Sequence, residues 1–279
     1  PGMSMGPHGT NWHRNQNWWD MLPAYHDYVS RASHMLQQGV AVADILYLAP
    51  EGSPHIFWPP NDAIIGDGLI KDKRGYSFDA VSAKILKERA SVNDQGRIQF
   101  KDASAYKVLV LPDMNTMTPE TLEKVISLVE SGAIVMGNPP KQSPSLVNYP
   151  VADQQVSKLV NKLWGSHVLP KQLAKRNVGR GQIIWRATLY EKDDSSLVKE
   201  VLYPAYINTA AILSSLGLVP DFTEVQGNKG VVQTDLAKTQ KLRFIHRHVN
   251  DKSDVKDLYF IANRTSDEVE TIGQFRVTD

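Results

Sequence analysis

The sequence predicts an α/β fold: an open, mostly parallel sheet with helices on both faces, followed by a C-terminal antiparallel β segment. Three observations predict it. Short apolar runs alternate with stretches of helical periodicity between residues 43 and 216. Runs such as Val108-Leu109-Val110-Leu111 are apolar at successive positions, as strands covered on both faces are. Beyond residue 240 the pattern changes to strand-like alternation in KLRFIHRHV and DLYFIANRT, joined by a polar stretch, with GQFRVTD starting a third strand.

Taken in order, Met21 to Gln38 places Leu22, Tyr25, Val29, Ala32, Met35 and Leu36 on one face, a helix closed by Gly39. Ala43 to Leu48 reads as a buried strand that ends in the Pro50-Glu51-Gly52-Ser53-Pro54 loop, and a long loop follows through FWPPND. Phe78 to Arg89 reads as a helix; Val92 and Arg97 to Phe100 flank an Asn93-Asp94-Gln95-Gly96 turn. Tyr106 to Leu111 is a strand. Thr118 caps a helix with proline at its first position, running to Ser131-Gly132. Ala133 to Met136 is a strand, Val151 to Trp164 a helix, Gly181 to Trp185 a strand, and a helix lies around Leu197 to Leu216. Strand and helix in this rhythm make the sheet flavodoxin-like. The three terminal strands are too few for a stable sheet and are expected to begin a larger β-sandwich.

Composition excludes several functions. Lys and Arg total 31 against 30 Asp and Glu, a net charge of +1 with no long run of one sign, so nucleic acid has no electrostatic footprint here. No run of 18 apolar residues could span a bilayer, and PGMSMGPHGT lacks the plan of a signal peptide. There is no cysteine among the 279 residues, which removes disulfides, thiolate nucleophiles and zinc-thiolate sites. Class I glutamine amidotransferases carry a nucleophilic cysteine after a central strand of a similar sheet. Here that turn is Pro112-Asp113-Met114-Asn115, so only the scaffold could be shared. Cysteine-free chains occur in cytoplasm and periplasm alike, so the compartment is open.

The glycines of Val178-Gly179-Arg180-Gly181 precede a strand, whereas a phosphate loop follows one; they read as a turn. Asp113 and Glu51 stand at the carboxyl ends of strands, where helix capping and ligand contact are both open readings. Asp44, at a strand's start, reads as structural. His246 and His248 sit two apart on a strand and read as a solvated face, and no metal-ligand spacing is visible. The densest chemistry lies in Gly9 to Asp20. His13, Arg14, Asn15, Trp18 and Trp19 combine indole faces, which stack on the apolar face of a sugar ring, with imidazole, guanidinium and amide groups suited to its hydroxyls. The alternative for Trp18 and Trp19 is a hydrophobic staple at the entry to the following helix.

This loop and the DMLPAYHDYVSRASHMLQQGVAVADILYL that follows resemble glycoside hydrolase family 106, the α-L-rhamnosidases. YKVLVLPDMNTMTPETLEKVISLVESGAIVMGNPPKQSPSL, GRGQIIW, and RFIHRHV, DLYFIANRT and GQFRV resemble the same family in the same order, so the likeness covers nearly the whole chain. It implies an internal piece of a larger enzyme. Residues 1–40 would be the last loop and helix of a catalytic (β/α)₈ barrel, 41–220 an amidotransferase-like domain, and 221–279 the start of a β-sandwich. The implied chemistry is inverting hydrolysis by an acid and a base roughly 6.5–9.5 Å apart. Neither is identifiable in this sequence, and the barrel strands carrying them are expected upstream. The implied substrate is a rhamnose-containing polysaccharide, contacted through His13, Arg14, Asn15, Trp18, Trp19 and Glu51. The implied partners are neighbouring domains of the same polypeptide. No cofactor is expected in this piece, with calcium a cofactor of the whole enzyme.

Overall fold

The structure is a computed structural model and describes residues 14–52, 57–65, 72–73, 75–101, 104–186, 202–225, 242–251, 254–263 and 265–277. A 3₁₀ turn at Trp19–Met21 leads into helix α1 (Leu22–Leu36). The helix forms as the periodicity predicts, yet only Leu22 of its apolar face is buried; Tyr25 is 52% and Met35 47% exposed. Val29, Ala32 and Leu36 on the same face are half-buried. Gly39, at φ +54°, turns the chain into β1 (Val40–Ala41), and an added Cβ there would meet the His248 carbonyl, so glycine is required by both conformation and space.

The centre is a six-stranded sheet. In chain order its members are β2 (Ile45–Leu48), β3 (Phe78–Val81), β4 (Val108–Val110), β5 (Ile134–Met136), β6 (Ala174–Val178) and β7 (Gly181–Trp185). In space the order is β6-β7-β5-β4-β2-β3. Five strands run parallel and β6 closes one edge antiparallel to β7, so the sheet is mixed. Helices α2 (Ala83–Arg89), α3 (Pro119–Glu130) and α4 (Val151–Leu163) connect the strands, and α5 (Tyr206–Ser215) follows them.

The strand interiors alternate between two packed faces. Leu46, Leu48, Leu109, Val135 and Ile183 join residues of α2, α3 and α4 in one cluster. Ile45, Tyr47, Val108, Val110, Met136 and Ile184 join Tyr203, Tyr206 and Leu213 in the other. Side chains of successive strand residues point to opposite faces, so a strand covered on both sides must be apolar at every position. This is why the runs at β2 and β4 were readable.

One expectation changes. Phe78 to Arg89 is not one helix: Phe78–Val81 is an edge strand paired with β2, and Ser82, whose Oγ accepts from the Ile85 N–H, starts the helix after it. The short apolar spacing there fits either element, and the cap decides it. Strand β6 is one that the sequence does not predict; it has no apolar pattern because it lies at an edge with three of its five residues exposed. The Gly179-Arg180 turn joins it to β7, as the reading against a phosphate loop expects. Gly181 is held to glycine because a Cβ there would strike the carbonyls of Val129 and Ala133. The part of the helix placed around Leu197 to Leu216 that precedes Leu202 lies outside the described residues; 202–205 are not helical, and α5 covers Tyr206–Ser215.

The C-terminal β segment is antiparallel but splits in two. Strands β9 (Leu242–Asp251) and β10 (Asp254–Asn263) form a ten-residue hairpin, and β1 pairs with β9 through Val40–His248 and Ala41–Arg247. β11 (Ile272–Phe275) pairs instead with β8 (Phe222–Val225), which follows α5. The hairpin is thus stitched to the chain just before the central sheet, 206 or more residues away in sequence, a link no local pattern encodes.

Candidate functional site

The loop before α1 is partly described. His13 lies outside the described residues; Arg14 and Asn15 are exposed. The 3₁₀ turn closes with Trp19 N–H donating to Gln16 O at 3.1 Å and Met21 N–H to Trp18 O at 3.0 Å. This aims the two indoles differently. Trp18 lines an apolar hollow of about 240 Å³ with Met21, Leu22 and Tyr25, whereas Trp19 is 40% exposed. Trp18 therefore meets the helix entry and Trp19 presents its ring outward, with Arg14 and Asn15 a few residues before it.

Glu51 follows β2 at the carboxyl end of the sheet, and its carboxylate is engaged at the N-terminus of α3. Oε2 accepts from the Thr118 N–H at 2.8 Å; Oε1 accepts from the Thr118 and Thr121 hydroxyls at 2.7 and 2.6 Å. An anion at this position satisfies an orphan N–H and complements the helix dipole. Of the two readings open for Glu51, this contact is the capping one. Asp62 does the same for α5, accepting from the N–H groups of Tyr206 and Ile207 at 2.8 and 3.1 Å. Asp113, after β4, donates its own N–H to Leu202 O at 2.7 Å. Burial raises its carboxyl above the ordinary range, countered by hydrogen bonding from Asn138 and by Lys141.

The densest constellation of charge lies where the sequence predicts a solvated face. His246 is 4% exposed rather than solvated. Its Nδ1 lies 2.8 and 3.0 Å from the two carboxylate oxygens of Asp221, its Nε2 2.9 Å from Asp257 Oδ1, and its ring stacks on Tyr259 with centroids 4.0 Å apart. His248 Nδ1 meets the same Asp257 oxygen at 2.8 Å. The Tyr259 hydroxyl donates within 2.8 Å of Asp221 Oδ1. Arg276, just past β11, pairs with both oxygens of Asp44 at 2.9 and 3.0 Å and stands 3.8 Å from Asp221. Asp44 and Asp221 are fully buried. Asp44 is structural, as its position at the start of β2 predicts. Strand alternation does place His246 and His248 on one face; what it could not supply is that residues 44, 221, 257 and 276 converge on that face.

Among the described residues no group of three or more His, Asp or Glu side chains is arranged to hold a metal ion. No described helix is long and apolar enough to cross a membrane.

The geometry defines a mixed α/β chain with an aromatic, polar segment at its front and a buried ion-pair network joining its C-terminal strands to the sheet. The chain belongs to glycoside hydrolase family 106, described as alpha-L-rhamnosidase, whose sequence profile matches residues 1–279. It is similar to a protein of Formosa agariphila called "Putative beta-glucuronidase", 32% identical over 280 residues, covering 100% of this chain and 19% of that protein. It is also similar to the solved structure of a rhamnosidase from Novosphingobium sp. PP1Y, with a TM-score of 0.68 and 25% identity over 99% of this chain and 22% of the other. The chain therefore spans about a fifth of the length of these relatives.

Proposed function

We propose that this chain is part of an inverting α-L-rhamnosidase acting on rhamnose-containing polysaccharide, a largely non-catalytic module with its front loop on the substrate side. The observation that carries the reading is the family match over the whole chain, joined to the likeness to a rhamnosidase of known structure. The division at residues 40 and 220 is part of the proposal. The boundary at residue 40 is supported by the exposed Tyr25 and Met35 on the apolar face of α1, which suit packing against another part of a longer polypeptide. The flavodoxin-like assignment of the middle region is supported by the order of the five parallel strands, 2-1-3-4-5 by first appearance in the chain; the amidotransferase-like assignment rests on the family resemblance alone. Calcium belongs to this reading as a cofactor of the whole enzyme.

Substrate contact is assigned to His13, Arg14, Asn15, Trp18 and Trp19, with the open ring of Trp19 as the stacking platform. Glu51 takes its place there only by holding α3 in position, since its carboxylate is already engaged. Release of 4-nitrophenol from its α-L-rhamnoside by the full-length polypeptide tests the activity. Cleavage of the β-glucuronide with none of the rhamnoside overturns it in favour of the second reading, another glycosidase, which the 32% identity to the Formosa protein favours. In the same polypeptide Trp19→Ala is expected to raise KM for an oligosaccharide by roughly 2- to 10-fold, the scale of one aromatic contact. Unchanged constants would assign the loop to assembly alone.

A further inference from the structure

We propose that His246 is held as a doubly protonated imidazolium and acts as a pH-released clasp between the β9–β10 hairpin and the central sheet. The argument rests on valence. A neutral imidazole has one N–H donor and one lone pair, whereas a carboxylate oxygen only accepts. Both ring nitrogens of His246 face carboxylates within 3.0 Å, Asp221 on one side and Asp257 on the other. Only the cation satisfies both; the neutral ring would set a lone pair against an anion in a site that water barely reaches.

The clasp has a direction. His246 and His248 come from β9, Asp257 and Tyr259 from β10, Asp221 precedes β8, Arg276 follows β11, and Asp44 opens β2 with Arg97 4.0 Å away. Among the described residues, these and the Tyr76 hydroxyl near Asp44 and Arg276 are the charged and titratable groups facing His246 and its partners. They place three acids against two Arg side chains, and the imidazolium supplies the remaining positive charge. Asp221 is the pivot: it accepts from His246 and Tyr259, its N–H donates to Gly75 O at 2.7 Å, and its carbonyl accepts from Arg276 N–H at 2.9 Å. Removing the proton from His246 thus loosens the hairpin at Asp221, one of the points where it is fastened, while the β1–β9 pairing stays in place.

The sign follows from the same contacts. Burial by itself lowers the His246 pKa, but hydrogen bonds and charge from Asp221 and Asp257 outweigh it and raise the value above 6.5. A raised folded-state value means the clasp contributes fully below the unfolded-state pKa and is lost as pH climbs through the folded one. Two measurements on the full chain test this. Nitrogen-detected NMR of the imidazoles is expected to show both ring nitrogens of His246 protonated at pH 7. Amide exchange, corrected for its intrinsic pH dependence, is expected to show protection in β9 and β10 falling about tenfold more than in β4 and β5 between pH 6.5 and 9.5. If His246→Gln folds, that difference between hairpin and sheet should vanish. A neutral imidazole at pH 7, or a hairpin whose protection tracks β4 and β5 at every pH, overturns the proposal.

Discussion

The interior of the central sheet and the junction that fastens the C-terminal hairpin to it are buried to the same degree by opposite chemistry. Across β2 to β7 the buried side chains are aliphatic and aromatic, packed on both faces against helices. At the junction the buried groups are Asp44, Asp221 and His246, with Asp257 and Arg276 nearly so. The first arrangement is non-directional and tolerates small adjustments. The second depends on each charge keeping its partner, because an isolated ion in such a place costs far more than a lost apolar contact. Apolar packing can be assembled in increments; an ion network is complete or it is costly.

The comparison is broken most severely from the ionic side. Arg276→Leu takes from Asp44 its two-point partner, leaving only Arg97 4.0 Å away, and is expected to cost about 3–5 kcal/mol in urea unfolding. Adding Asp44→Asn should recover part of that loss, a non-additivity the independent-site view does not give. If the single change costs under about 1 kcal/mol, the junction is not held by its charges. On the apolar side, Leu109→Ala empties space at the centre of the sheet and is expected to cost about 2–5 kcal/mol. Its effect should add to that of Arg276→Leu if the two regions are independent. A smaller effect sharpens the contrast at the sheet's carboxyl edge, where a single carboxylate serves a helix. Glu51→Ala should lower stability by about 1–2 kcal/mol, read as a shift in the urea midpoint, with Thr118 still capping α3. The smallest belongs to the front loop: Trp19→Ala should change stability by no more than about 0.5 kcal/mol while altering kinetics of the longer enzyme. A large loss of stability there would make Trp19 part of the packing rather than a surface offered to substrate.

Much of the central sheet was legible because strands covered on both faces must be apolar at every position; β2, β4 and β5 are, and β7 is apart from Gln182. What escaped was what lies at edges. β3 shared its apolar spacing with the helix after it, and polar β6 carried no signal. The front loop was legible as chemistry through its density of indole and polar groups, but the opposite settings of Trp18 and Trp19 came from the 3₁₀ turn between them. Glu51 shows the same limit. Its position at a strand end left capping and ligand contact open, and the hydroxyls of Thr118 and Thr121, some 70 residues away, supplied the contact.

By itself the sequence determined the alternation of elements, the absence of thiol chemistry, and the phrases that mark the family, all of which are local or compositional. Only the tertiary structure decided that β1 joins the hairpin, that β11 pairs with β8, and that His246 lies buried between two carboxylates. Those contacts join residues tens to hundreds of positions apart, and a charge reveals its partner only when folding has brought the two within hydrogen-bond reach.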